Sequence, residues 1–201
     1  MTDGEKPPAV IVLSEEILSD DWARLTRYTI EVERRDGVRE KQLRQVYDRG
    51  NGAAILPVDR NRGTVLLVRQ FRMPVMLNPR PGRDVGGMLI EACAGLLDAN
   101  DPETAIRKEA EEELGFRLGA IRQVFDAYMS PGSVSERLML FVADYSPADR
   151  VSDGGGEASE GEMIDVLELP LAEAFAMVDS GEIADAKTII LLQYLKLGGA
   201  T

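Results

Sequence analysis

The 201-residue chain contains no histidine. That excludes a Ser-His-Asp or Cys-His triad, an imidazole general base and any metal site built on imidazole. Proton transfer is left to carboxylates, Lys, Arg, Tyr, hydroxyls or a metal-bound water. Cysteine occurs once, as Cys93. No intrachain disulfide is therefore possible, and the apolar run Met88-Leu89-Ile90-Glu91-Ala92-Cys93-Ala94 makes it a buried structural thiol. Cations are outnumbered, 23 Lys and Arg against 35 Asp and Glu for a net charge of −12. With no Lys/Arg-rich run, nucleic acid and anionic membrane surfaces are excluded as default partners. No apolar run reaches the ~18 residues of a membrane span. The opening Met-Thr-Asp-Gly-Glu-Lys-Pro-Pro lacks the basic and apolar regions of an export signal. The expected compartment is the cytoplasm.

What is present is the composition of a soluble globular protein, 44% hydrophobic and 29% charged. Residues 1–48 read as a small antiparallel β unit. Ala9 to Leu13 is apolar, Arg27 to Glu33 alternates with period two, and Arg35-Asp36-Gly37 turns into a second run ending at Val46-Tyr47. So small a unit is marginal alone and should dock on its own chain or a second subunit. Asp48-Arg49-Gly50-Asn51-Gly52 is a turn-rich boundary, and residues 49–201 form the second domain. Here Ala53 to Val58 and Thr64 to Phe71 read as buried strands, and residues 73–87, rich in Pro and Gly, as a loop. Met88 to Cys93 is a further strand. Strands at about 121–127 and 137–144 follow, then a polar stretch, 146–162, expected to be a mobile loop around Gly154-Gly155-Gly156. A short strand at Val166–Leu169 and helices at Leu171–Val178 and Ala184–Leu197 close the chain. The mixture predicts an α/β (α+β) layered domain.

The densest chemistry lies between Gly95 and Phe116. Asp101-Pro102-Glu103 opens a helix with an acidic N-cap, Pro at the first position and a carboxylate in the first turn. The spacing predicts one helix to Leu114, stopped by Gly115. At about 100° per residue, Glu109 and Glu113 lie roughly 40° apart at the edge of the apolar stripe of Ile106 and Ala110, while Glu111 points away. Two carboxylates one turn apart beside a core repel each other, and a hard divalent cation removes the conflict. The plainer reading of such a cluster is a solvated acidic face. The context favours a site, because Gly95 admits close approach and the Ala94 carbonyl ends a strand nearby.

This segment resembles the Nudix signature, Gly-x5-Glu-x7-Arg-Glu-U-x-Glu-Glu-x-Gly-U, with U a bulky aliphatic residue. Glu109, Ala110, Glu112, Glu113, Gly115 and Phe116 match. Lys108 replaces the arginine, Asp101 stands for the first glutamate, and the interval from Gly95 is one residue short. Further segments are similar to the GDP-mannose pyrophosphatase branch, close to the ADP-ribose pyrophosphatases: Val46-Tyr-Asp-Arg-Gly-Asn-Gly-Ala, Gln70-Phe-Arg, Cys93-Ala-Gly-Leu-Leu-Asp, Ile106-Arg-Lys-Glu-Ala, Tyr128-Met-Ser-Pro-Gly and Val166-Leu-Glu-Leu-Pro. The resemblance spans residues 10–197.

The resemblance implies a Nudix α/β/α sandwich with a mixed sheet, preceded by an N-terminal β unit that forms a homodimer through its strands. It implies hydrolysis of a nucleoside diphosphate sugar, GDP-mannose to GMP and mannose 1-phosphate, with ADP-ribose hydrolysis or non-catalytic sugar-nucleotide sensing as alternatives. The metal, Mg²⁺ with Mn²⁺ able to replace it, falls to Ala94, Glu109, Glu113 and Glu162. The catalytic residues fall to Glu162, Glu112 and Glu113, with Glu162 as the general base, Glu160 as its alternative and Glu112 in support. Substrate contacts fall to Trp22, Leu43, Arg44, Gln45, Arg72, Ala94, Gly95, Leu96, Glu113, Glu136 and Lys187. Read singly, Arg72 and Lys187 are as well explained as surface charges, and Trp22 as core.

Overall fold

The structure is a computed structural model, and it describes residues 9–97, 99–156, 161 and 163–200. These divide into two compact units. The first runs to Gly50 and includes Ser130–Glu136; the second holds Asn51–Met129 and the chain from Arg137.

The first unit is a three-stranded antiparallel sheet in the order β1 (Val10–Asp20), β2 (Arg24–Glu33), β3 (Arg39–Asp48). Its alternating residues pair from Arg24 with Asp48 to Glu33 with Arg39. Gly37 closes the β2–β3 turn at φ 78°, where a side chain would be strained. Tyr47 extends this unit by exchanging backbone bonds with Ser133 and Ser135. Strand β1 leaves Val10, Ile11, Val12, Leu13 and Ile17 exposed.

The second unit is built on a seven-stranded mixed sheet. Its path is β10 (Ile164–Pro170), β5 (Thr64–Phe71), β4 (Gly52–Asp59), β9 (Arg137–Asp144), β8 (Ile121–Tyr128), with β6 (Met88–Glu91) on β5 and β7 (Cys93–Leu96) on β4. Strands β4 and β9 are parallel and the other pairs antiparallel. Every residue of β4 is buried, the pattern of a strand covered on both faces. Ala53 and Ile55 face one core with Leu66, Val68, Met139 and Phe141. Ala54, Leu56 and Val58 face another with Val65, Leu67, Leu138 and Leu140. The first core is closed by Ile106 of α2 (Pro102–Glu109) and by Ala110 and Leu114 of the turn that follows it. The second is closed by Ala174 of α3 (Leu171–Ser180) and by Leu191 and Leu192 of α4 (Ala186–Lys196). The result is the expected α/β/α sandwich. No helix among the described residues is long and apolar enough to cross a membrane.

Strands β4 and β5 pair only at Val58–Val65 and Asp59–Thr64, then part. Strands β6 and β7 fill the gap as one strand that changes partner at Ala92. There the Ala92 N–H leaves the ladder and donates to Thr188 Oγ1 at 2.7 Å, a buried bond to the first turn of α4. This pins the end of the strand that carries Ala94 and Gly95.

Three expectations are corrected. Residues 73–87 are not all loop, because Met73–Leu77 form a short helix, α1, with Pro74 in its first turn. The helix from 101 is not one α-helix, because Ala110–Leu114 widen into a π turn. Residues 146–156 are tied down rather than a free loop. Ser146 and Asp149 cap a 3-10 turn at Pro147–Asp149, Arg150 bridges Phe116, and Gly155 and Gly156 bond the π turn.

Candidate active site

The Asp101 side chain accepts the Thr104 N–H at 3.0 Å, so the acidic cap sets the start of α2. At its other end Gly115, at φ 80°, sends its N–H back to the Ala110 carbonyl. A π turn widens the ring and leaves further carbonyls needing donors. The glycine tract supplies them, Gly155 N–H to Glu113 O at 2.9 Å and Gly156 N–H to Glu112 O at 3.1 Å. A Cβ on Gly154 would lie 2.5 Å from the Glu113 carbonyl oxygen. Only glycine fits this tract against the turn.

The four carboxylates from Glu109 to Glu113 have distinct surroundings. Glu111 pairs with Arg117 at 2.6 Å on the outside. Glu112 is half-buried and pairs with Lys108 at 3.2 Å. Glu113 is buried, and its Oε2 accepts the Ala94 N–H at 3.3 Å. Glu109 lies against Gly95 so closely that a Cβ there would be 1.9 Å from its Oε1. Glycine is required at 95 for that approach.

The register fixes the Ala94 carbonyl. Leu97 N–H donates to Asn51 O at 3.0 Å, so along β7 the pairs 53/95 and 55/93 are hydrogen-bonded and Ala54/Ala94 is not. A residue's N–H and C=O point to the same side of its strand, so both groups of Ala94 turn away from β4. The N–H meets Glu113, and the carbonyl opens on the same side. Hard oxygen donors thus come from Ala94, Glu109 and Glu113, a set suited to a divalent cation. Among the described residues no three Cys, Asp or Glu side chains converge as a metal cluster; Glu160 and Glu162 lie outside the described residues. Cys93 is fully buried, and burial, with the nearby Glu113 charge, pushes its thiol well up. It stays protonated and serves as packing.

A second constellation adjoins the strand break. Glu91, 3% exposed, accepts Arg72 Nε at 2.7 Å on Oε2 and Lys187 Nζ at 2.5 Å on Oε1. Lys187 also pairs with Asp185 at 3.1 Å, and Asp185 caps α4 through the Thr188 N–H and hydroxyl. Lys187 is buried and so is not the surface charge its isolated position would suggest.

Across its length the chain matches known sequence families. Residues 9–47 match the GDP-mannose pyrophosphatase NudK N-terminal domain, and residues 48–189 match the NUDIX domain. This chain belongs to the NUDIX family. It is 49% identical over 188 residues to a GDP-mannose pyrophosphatase of Klebsiella pneumoniae subsp. pneumoniae, covering 94% of this chain and 92% of the relative. A GDP-mannose pyrophosphatase of Pectobacterium atrosepticum is likewise 49% identical, with 94% of each chain covered. A crystal structure of an ADP compounds hydrolase, 18% identical, superposes with a TM-score of 0.70 over 97% of this chain and 95% of that one. That likeness speaks to the NUDIX fold alone.

Ala94, Gly95 and Leu96 lie on β7, where Glu109 meets Gly95 and Glu113 meets Ala94, while Glu112 pairs with Lys108; Arg72 and Lys187 meet at Glu91. The remaining expected contacts lie in the first unit. Leu43, Arg44 and Gln45 are on β3. Trp22, 68% exposed, is not core; it sits in the β1–β2 turn with the Arg49 guanidinium 5.7 Å from its ring centre. Glu136 pairs with that arginine at 2.7 Å. Sequence reasoning missed Glu91, Asp185 and Arg49. Glu91 carried a signal, since an acid within an apolar strand must find a buried cation.

Proposed function

We propose that this protein is a Mg²⁺-dependent pyrophosphatase that hydrolyses GDP-mannose to GMP and mannose 1-phosphate. The observation that supports the reading is the seating of Glu109 on Gly95 and of Glu113 on the Ala94 N–H, which brings two carboxylates beside the strand that carries the Ala94 carbonyl. Ala94 O, Glu109 and Glu113 would hold the cation, with Glu162 as a further ligand. When bound, the metal, Mg²⁺ or Mn²⁺ in its place, would supply charge neutralisation at the diphosphate and a more acidic water.

This chain's own groups do the rest. Arg72 and Lys187 supply cationic charge to the diphosphate, which an acidic chain must otherwise repel. Leu96, with Ala94 and Gly95, lines the strand edge along which it lies. Glu162 takes the proton of the attacking water, with Glu160 as its alternative, and Glu112 is held ready by Lys108. Trp22, Leu43, Arg44, Gln45 and Glu136 contribute base and sugar recognition. The exposed apolar residues of β1 support self-association into a homodimer through the N-terminal strands.

The names of the relatives and the N-terminal match support GDP-mannose over ADP-ribose. The test is product identity. Phosphorus NMR of a GDP-mannose digest in Mg²⁺ should show GMP and mannose 1-phosphate in equal amounts, and no cleavage with excess chelator. Tight binding without either product would instead identify a sensor.

A further inference from the structure

We infer that Glu91 is a positioning residue for the diphosphate, acting through Arg72. The claim rests on the hydrolase reading above and adds a residue that touches neither metal nor substrate in that reading. Glu91 is the only acceptor of the Arg72 guanidinium among the described residues, and it takes Nε. A guanidinium held at Nε by a fixed carboxylate keeps its plane and presents its terminal Nη groups outward, the geometry for a paired contact to phosphate oxygens. The Arg72 side chain is 40% exposed, whereas that of Glu91 is 4%. The cation therefore reaches an incoming anion and the acid does not.

Lys187 explains how an acid can sit there without repelling the substrate. Its ammonium neutralises Glu91 from the buried side, and Asp185 fixes the ammonium in turn. Two acids and two cations sum to zero, so the cluster adds orientation without adding negative charge. Its anchors are rigid, since Glu91 ends β6 one residue before the Thr188-bonded break, and Arg72 follows β5 with its own N–H bonded to Gly87 O at 2.8 Å.

The test is a double-mutant cycle of Glu91→Gln and Arg72→Ala in the full-length protein with Mg²⁺. It is repeated in a Lys187→Met background, with Lys187→Met alone as its reference, which removes the buried charge together with its counter-ion and so guards against misfolding. Glu91→Gln should raise KM for GDP-mannose about 10- to 100-fold, the range of one charge-assisted hydrogen bond, with kcat within about threefold. Adding Glu91→Gln to Arg72→Ala should cost little more. The same cycle read as the Kd of methylenediphosphonate, a non-hydrolysable diphosphate, tests the positioning even if GDP-mannose is not the substrate. Absence of turnover in the wild type would overturn the functional reading alone. An unchanged KM and Kd, independent losses that multiply, or a fall in kcat at constant KM would overturn the role of Glu91.

Discussion

Replacing Gly95 by alanine separates the site from the fold. A Cβ at 95 would lie 1.9 Å from Glu109 Oε1, 2.2 Å from its carboxyl carbon and 2.6 Å from its Cγ. Ordinary contact needs about 3.4 Å, so the carboxylate must move by about 1.5 Å, well outside the ~0.2 Å tolerance of a ligand shell. The clash is with the far end of a flexible side chain, so the fold can yield cheaply. Gly95 is not among the positive-φ glycines, and alanine in a compatible conformation tends to stabilise by about 0.4–1 kcal/mol through the unfolded chain. Stability should therefore stay level or rise. Activity should fall, because a displacement of ~1 Å at a reacting centre costs on the order of 100-fold, about 2.7 kcal/mol of barrier. The assay is release of phosphomonoester from GDP-mannose across a Mg²⁺ titration, with thermal denaturation in parallel. Raised Mg²⁺ should recover part of the loss. Near-wild-type kcat/KM at low Mg²⁺ would refute the seating of Glu109 on Gly95 as the basis of the metal site.

Glu113→Gln should abolish turnover with the fold intact by circular dichroism; near-normal activity would remove Glu113 from the metal set. Thr188→Val keeps the volume but strands the buried Ala92 N–H, at about 1–3 kcal/mol. By the usual scaling, the Tm should drop by roughly 2–12 °C. Acid should destabilise the protein through Glu168 and Asp101. The Arg62 hydrogen bond, with Tyr145, holds Glu168 below its usual 4.5, and Thr104 holds Asp101 below 3.8. Both folded-state pKa values are depressed, so their stabilisation is complete above about pH 4.5 and is lost as pH falls through the lower folded values. Urea denaturation at pH 7, 4.5 and 3 should show that loss, and Glu168→Gln should flatten it; stability flat down to pH 3 in the wild type would contradict it.

The sheet was legible in the sequence because its central strands are covered on both faces. Ala53 to Val58 and Thr64 to Phe71 are nearly continuous apolar runs, and only burial makes such runs useful. The start of α2 was legible because Asp101, Pro102 and Glu103 act locally on the first turn. Its end was not. Gly115 marks the stop, but the widening at Ala110–Leu114 is stabilised by Gly155 and Gly156, some 40 residues on. Nothing within the helix reports that contact. The same tract was misread because glycine signals either freedom or close packing, and here Gly154 packs on the Glu113 carbonyl. The carboxylate pair was readable from its spacing. The partnership of Glu91 with Lys187 was not, because 96 residues separate them and only the fold brings α4 to the strand break.

The central claim is a substrate and a reaction, and parallel steady-state assays of GDP-mannose, ADP-ribose and ADP-glucose with the purified protein in Mg²⁺ test it most directly. The highest kcat/KM should fall to GDP-mannose, at least about tenfold above the others, a margin of about 1.4 kcal/mol in transition-state binding. A higher kcat/KM for ADP-ribose would contradict the assignment, and no turnover of any of the three would contradict the enzyme itself.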